Sequence, residues 1–321
     1  MDTYVPQELI DHVVDFAYND HHTLCATRLV SRSWNISARV HFFRELDLLI
    51  PKTPFTLPCR AAKSSATKSE DRGVYKLERL LDILNTSPDM AYFVREVIIG
   101  STTGLNPAQW KIYDPLLSKI VAQLKRVTTI YIREVNWSQL SPSFSNLVIE
   151  LFKSPQLQHL DIWNCQVPSM QVLLNFLNSS SSLTGLRLSH IRFSDDIDGA
   201  KALLIGITNK SNTLKSPKRP LQRLHIETVP LASLLYALLT TAPCFIDVTK
   251  LQSLFFDYID DIPGIRHFLQ VAGGSIESLE MWASTCQYSH ALRPLLLFLA
   301  NSIFFDQAKA DTALQPKVLS I

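Results

Sequence analysis

Apolar and polar positions alternate in short bursts along this chain, and the clearest burst is Leu157-Gln158-His159-Leu160-Asp161-Ile162-Trp163-Asn164-Cys165. Leu160 and Ile162 fit the buried face of a strand, and Asp161 and Trp163 then point to the other face. The unit L-x-x-L-x-L recurs at Leu183–Leu188, Leu221–Ile226, Leu251–Phe256 and Ile276–Met281. Looser copies stand at Val94–Ile99, Val127–Ile132 and Phe43–Leu48. With the fourth position as anchor, the copies fall at 46, 97, 130, 160, 186, 224, 254 and 279. After the first gap they are 33, 30, 26, 38, 30 and 25 residues apart, an irregular repetition that predicts a solenoid.

Between the strand units the period changes from two to 3.6. Leu77, Leu80, Leu81 and Leu84 follow i, i+3, i+4, i+7, as do Met170, Leu173, Leu174 and Leu177. Leu231–Leu238 and Leu292–Leu299 repeat the pattern, and Leu116–Leu124 and Leu147–Phe152 are variants. Loops are expected at Pro142, Pro155, Ser179–Ser182, Pro217–Pro220 and Gly273-Gly274. Helices alternating with strands predict a parallel sheet. Eight units could close into a (β/α)₈ barrel, whose strands are apolar on both faces. Here the outward position is often polar: Asp47, Asp161, Arg187, His225 and Glu280. A face that meets water favours an open α/β solenoid, a leucine-rich-repeat-like horseshoe.

Residues 5–44 read differently, as three short helices. Pro6 suits a first helical turn, and Leu9, Ile10, Val13, Val14 and Ala17 share one broad face. Asp20 or Thr23 would cap a second helix, and Ser31 or Ser33 a third that carries Trp34, Ala38 and Phe42. So small a module cannot bury all this apolar surface alone. Part of it should face a partner or the segment that follows.

Three stretches resemble the F-box: Val5-Pro6-x-Glu8-Leu9-Ile10, Leu29-Val30-Ser31-Arg32-Ser33-Trp34 and Phe42-Phe43-Arg44. The family pattern is Leu-Pro-x-Glu-Leu, then Val-(Cys/Ser)-(Lys/Arg)-x-Trp about twenty residues later. The whole chain is similar to fungal-type F-box proteins with divergent leucine-rich repeats. Val5 departs from the usual Leu, and the missing methylene would cost a partner contact on the order of 1 kcal/mol. The resemblance implies docking to a Skp-type adaptor, and through it to a cullin scaffold and a RING subunit. It assigns adaptor-facing roles to Pro6, Leu9, Ile10, Val14, Leu24, Leu29, Val30 and Trp34. The chain would then be the substrate-recognition subunit of a Skp–cullin–F-box ubiquitin ligase, doing no bond chemistry itself. An adaptor-independent scaffold with an F-box-like cap and a barrel enzyme are the alternatives.

The expected target surface is the polar side of the sheet. It collects Tyr131, Arg133, Asp161, Trp163, Arg187, His225, Phe255, Asp257, Glu280 and Trp282. Aromatics mixed with both charge signs suit protein recognition. Paired acids at Asp195-Asp196 and Asp260-Asp261 read as turn or capping residues. His12, His21, His22 and Cys25 match no zinc spacing. No cofactor is implied.

These features predict a module at 1–45, a first strand and polar linker at 46–76, and a repeat region at 77–321. The linker's Pro51, Pro54 and Pro58 precede a run of small and charged residues without period. The final Lys317–Ile321 resembles the start of another strand with no polar cap after it. This leaves a truncated C-terminus, or an end covered by a partner, as the expectation.

Composition narrows the classes further. Of 321 residues 46 % are apolar, so a sizeable core is available. A formal charge of +2 gives no basic excess for nucleic acid. Nine glycines include no phosphate-binding loop, and five scattered cysteines form no CxxC pair. The N-terminal ten residues carry no basic signal region, so Asn-x-Ser sites such as Asn136 read as chance. Apolar runs near 231–242 and 291–305 are too short or too broken to span a bilayer. A cytoplasmic or nuclear location, without membrane or nucleic-acid partners, is the expectation.

Overall fold

The computed structural model describes residues 5–18, 20–50, 67–101, 107–180, 182–194, 219–229, 246–257 and 262–281. Expectations for the linker before Thr67, the acid pairs, the helices at Leu231 and Leu292, Trp282 and the C-terminus lie outside these residues. The chain divides into two compact units, residues 1–131 with 140–148, and 132–139 with 149–321.

The first unit opens with α1 (Gln7–Phe16), α2 (His21–Thr27) and α3 (Arg32–Phe42). The Pro6 carbonyl accepts from the Leu9 and Ile10 amides and so starts α1. Asp20 caps α2 by accepting from the His22 and Thr23 amides, and Ser31 caps α3 from Trp34. Ile10, Val14, Leu24 and Ala38 form a small core, with Ala17, Trp34 and Phe42 packed on it. A polar seam ties α1 to α3. The Gln7 amide donates to the Ser37 hydroxyl at 2.8 Å, Ser37 donates to Asp11, and His41 meets Asp15 at 2.8 Å.

β1 (Glu45–Ile50) follows directly, with Leu46, Leu48 and Ile50 buried. α4 (Thr67–Thr86) starts ten residues before the expected Leu77, and a 3₁₀ turn (Pro88–Tyr92) leads to β2 (Glu96–Ser101). Leu46 pairs with Val97 and Leu48 with Ile99, in parallel. α5 (Pro107–Val121) and β3 (Thr129–Arg133) follow. Pro142 is no loop: it opens α6 (Pro142–Phe152). Its cap is Ser141, whose hydroxyl accepts from the Phe144 amide and is held at 2.8 Å by Asp114 of α5.

In the second unit β4 (His159–Trp163) leads through β5 (Gln166–Val167) to α7 (Met170–Ser179). β6 (Gly185–Ser189), β7 (Arg192–Phe193), β8 (Arg219–Pro220) and β9 (Arg223–Glu227) come next. β10 (Ile246–Asp247), β11 (Ser253–Phe256), α8 (Ile262–Ala272) and β12 (Ser278–Met281) complete the described strands and α-helices. Leu160 pairs with Leu186, Leu186 with Leu224, and Leu224 with Leu254, so the repeated leucines form one buried row.

The main sheet has eight strands in the order β1-β2-β3-β4-β6-β9-β11-β12. This corrects the expected leucine-rich horseshoe behind an all-helical F-box module. The structure is α/β, a parallel eight-stranded sheet flanked by helices. Its described crossovers carry α-helices of 10 to 20 residues. β2 is buried from Val97 through Ser101, on both faces, as in covered parallel sheets. The L-x-x-L-x-L unit specifies one buried strand face. It does not say what covers the other, and fold class turns on that second layer.

Candidate functional site

The second unit gathers polar groups on the side of β4, β6, β9 and β11 opposite the buried leucine row. Parallel register sets two rows across these strands. Asp161, Arg187, His225 and Phe255 form one row, and Trp163, Ser189 and Glu227 form the next toward the strand C-termini. Ligands of parallel sheets commonly sit beyond that end of the strands.

Glu227 is the hub. The fully buried Ser189 hydroxyl donates to its Oε2. Arg187 Nη2 lies 3.6 Å from Oε2, His225 Nε2 3.6 Å from Oε2, and His190 Nε2 3.4 Å from Oε1. The Ser189 hydrogen bond, aided by His190, Arg187 and His225, holds the Glu227 carboxyl below the usual carboxylate range despite its burial. Asp161 behaves oppositely. Burial pushes its carboxyl up against the pull of Arg187 and Arg133, and its Oδ1 is buried without a hydrogen-bond partner among the described residues. Burial, and then the Arg187 charge, hold the His225 imidazole below its ordinary range.

Aromatic contacts frame the hub. The His225 and Phe255 rings stack with centroids 3.9 Å apart and planes 9° apart. Trp163 meets His190 edge-on at 6.3 Å. Four turn residues along the same edge have positive φ: Glu134 at 53°, Asn164 at 51°, His190 at 53° and Thr228 at 49°. Each follows the last residue of β3, β4, β6 or β9. The Glu134, Asn164 and His190 amides donate to the carbonyls of Trp163, Ser189 and Glu227, which end the neighbouring strands. The strained turns thus fix where the hub side chains stand.

The expected target-surface residues divide between places. Asp161, Trp163, Arg187, His225 and Phe255 meet in this cluster. Arg133 acts on Asp161 through its charge, and Asp257 does the same to His225. Glu280 is exposed on β12, and Tyr131 belongs to the first unit, its hydroxyl 3.5 Å from Glu96. Sequence reading missed Ser189, His190 and Glu227. Extending the period of two by one step from Arg187 and His225 finds Ser189 and Glu227. Nothing in the sequence marks His190 as a positive-φ turn.

The N-terminal helices form the second candidate surface. Leu9 is 57 % exposed, Leu29 88 % and Val30 65 %, and Pro6 is also exposed. Ile10, Val14 and Leu24, expected to face an adaptor, fill the inner core instead, because the three helices need them to cohere. Trp34 is partly buried on that core. Phe16, not singled out from the sequence, is 81 % exposed.

Among the described residues no group of three or more His, Cys, Asp or Glu is placed to hold a metal. Cys165 is buried, and burial pushes its thiol up to about 12. No described helix is long and apolar enough to cross a membrane. Compared with known protein families and with curated proteins, the chain matches none.

Proposed function

We propose that this chain is the substrate-recognition subunit of a Skp–cullin–F-box type ubiquitin ligase. In this reading the N-terminal helices dock a Skp-type adaptor, which brings the cullin scaffold and RING subunit. The polar cluster on the second unit's sheet holds a target protein. The chain does no bond chemistry. It raises the effective concentration of the target at the attached catalytic machinery.

One observation carries the proposal. The three helices close a small core of their own yet leave Leu9, Leu29 and Val30 outside it, at positions where the F-box-like motif calls for partner contacts. Surface this apolar, clustered in one short segment, is what a protein partner covers. Ile10, Val14 and Leu24 hold the helices in place rather than touch the adaptor, and Trp34 does so in part.

Co-expression with a Skp-type adaptor, followed by size-exclusion chromatography, tests the reading. A 1:1 complex is expected from the wild type and none from Leu9→Asp. A well-folded wild type that elutes without the adaptor would remove the ligase reading. The adaptor-independent scaffold would then stand in its place.

A further inference from the structure

The row of Asp161, Arg187, His225 and Phe255 places a histidine between two competing neighbours. The His225 ring lies flat on Phe255 of β11, and its Nε2 is shielded from solvent and closes no hydrogen bond among the described residues. Arg187 stands beside it on β6. Glu227 Oε2 is 3.6 Å from His225 Nε2 and also 3.6 Å from Arg187 Nη2. One carboxylate oxygen is thus within reach of two nitrogen groups, and also accepts from Ser189. Neither distance is a closed hydrogen bond.

We propose that His225 is an acid-operated switch of this face: on gaining a proton it takes the Glu227 carboxylate and releases Arg187 to solvent. A neutral ring gains little from Glu227, whereas a charged N–H⁺ makes a charge-assisted bond roughly twice as strong as a neutral one. Arg187, half-exposed already, has somewhere to go. The output is a free guanidinium on the target face, which favours acidic targets at low pH.

The surrounding charges set the working range. Arg187 from β6 opposes protonation of His225. Glu227 on its own strand and Asp257, just after β11, favour it. His190, in the turn after β6, competes for the other Glu227 oxygen, and Asp161 on β4 is coupled to the cluster through the charges of Glu227 and Arg187. Burial adds to the opposition, so the switch operates below the ordinary imidazole midpoint of about 6.5. Only the consequence for targets rests on the proposed function. The switch itself is read on the free chain, so loss of adaptor binding leaves it untouched.

Titration of the His225 ring by heteronuclear NMR, with the Arg187 side-chain Nε–H followed in parallel, tests the proposal. The expected result is a His225 midpoint below that of a free imidazole, with Arg187 solvent exchange accelerating through the same midpoint. Arg187→Gln should move the His225 midpoint up, and Glu227→Gln should move it down. Arg187→Gln alters a half-exposed side chain, so it remains informative if Glu227→Gln fails to fold. An ordinary His225 midpoint, or an Arg187 signal indifferent to pH, would overturn the switch.

Discussion

Thr228 shows most directly how single residues hold the polar edge in place. A β-branched side chain at φ 49° is an outlier, and left-handed backbone costs an L-residue roughly 1–2 kcal/mol. Glycine escapes that cost but loses about 0.5–1 kcal/mol in chain entropy. Thr228→Gly should therefore stabilise the protein by up to about 1 kcal/mol in urea unfolding. A loss would mean that the threonine side chain contributes more than its backbone costs. Asp161 gives a second test at this scale, with pH as the lever. Its carboxyl titrates above the unfolded value, so its contribution is most favourable at low pH and declines as pH rises through the folded value. Asp161→Asn should raise the melting temperature near pH 7, and the gain should vanish in acid. Glu227 has the opposite sign: its stabilisation is present at neutral pH and fades as pH falls through its depressed value.

The elements show how far periodicity reads true. Met170, Leu173, Leu174 and Leu177 are buried along α7, and the alternate residues of β4, β6, β9 and β11 line the core, as spacing predicts. Period fixes which side of an element is buried, and that much was legible. The horseshoe was not, because a strand motif is silent about the layer laid on its second face. β2, buried on both faces, shows that gap. The hub was half legible: alternation marks Arg187 and His225, whereas Ser189 and Glu227 sit one step beyond the L-x-x-L-x-L motif. His190 depends on a backbone turn that its residue type does not announce. Gly185 makes a test of the register. A Cβ there would lie 2.3 Å from His159 Nδ1 on β4, well inside contact distance. Gly185→Ala should cost about 1–3 kcal/mol in equilibrium unfolding, and His159→Ala in the same chain should restore much of it. No rescue would mean the strain lies in the backbone of β6 rather than against His159.

At the scale of the whole molecule, each of the two units offers a surface of different character. The first carries exposed apolar side chains on short helices, and the second a mixed aromatic and charged cluster on strands. Under the proposed function, the apolar patch would give affinity for the adaptor and the polar face selectivity for a target. That division also makes the surfaces separable by mutation. Arg187→Ala should weaken target capture and spare adaptor binding in a pull-down with each partner. Parallel loss of both would contradict two independent surfaces. Docking of an adaptor on the N-terminal helices, as proposed, is tested most cleanly at Leu29. Its side chain is 88 % exposed and outside the small core, so Leu29→Asp has little to disturb in the fold. Calorimetric titration of the Skp-type adaptor into wild type and Leu29→Asp, with matched circular dichroism melts, is the measurement. Equal melts are expected, with affinity at least tenfold weaker in the variant, a change of about 1.4 kcal/mol. Equal affinities would place the adaptor elsewhere or nowhere and would overturn docking on these helices.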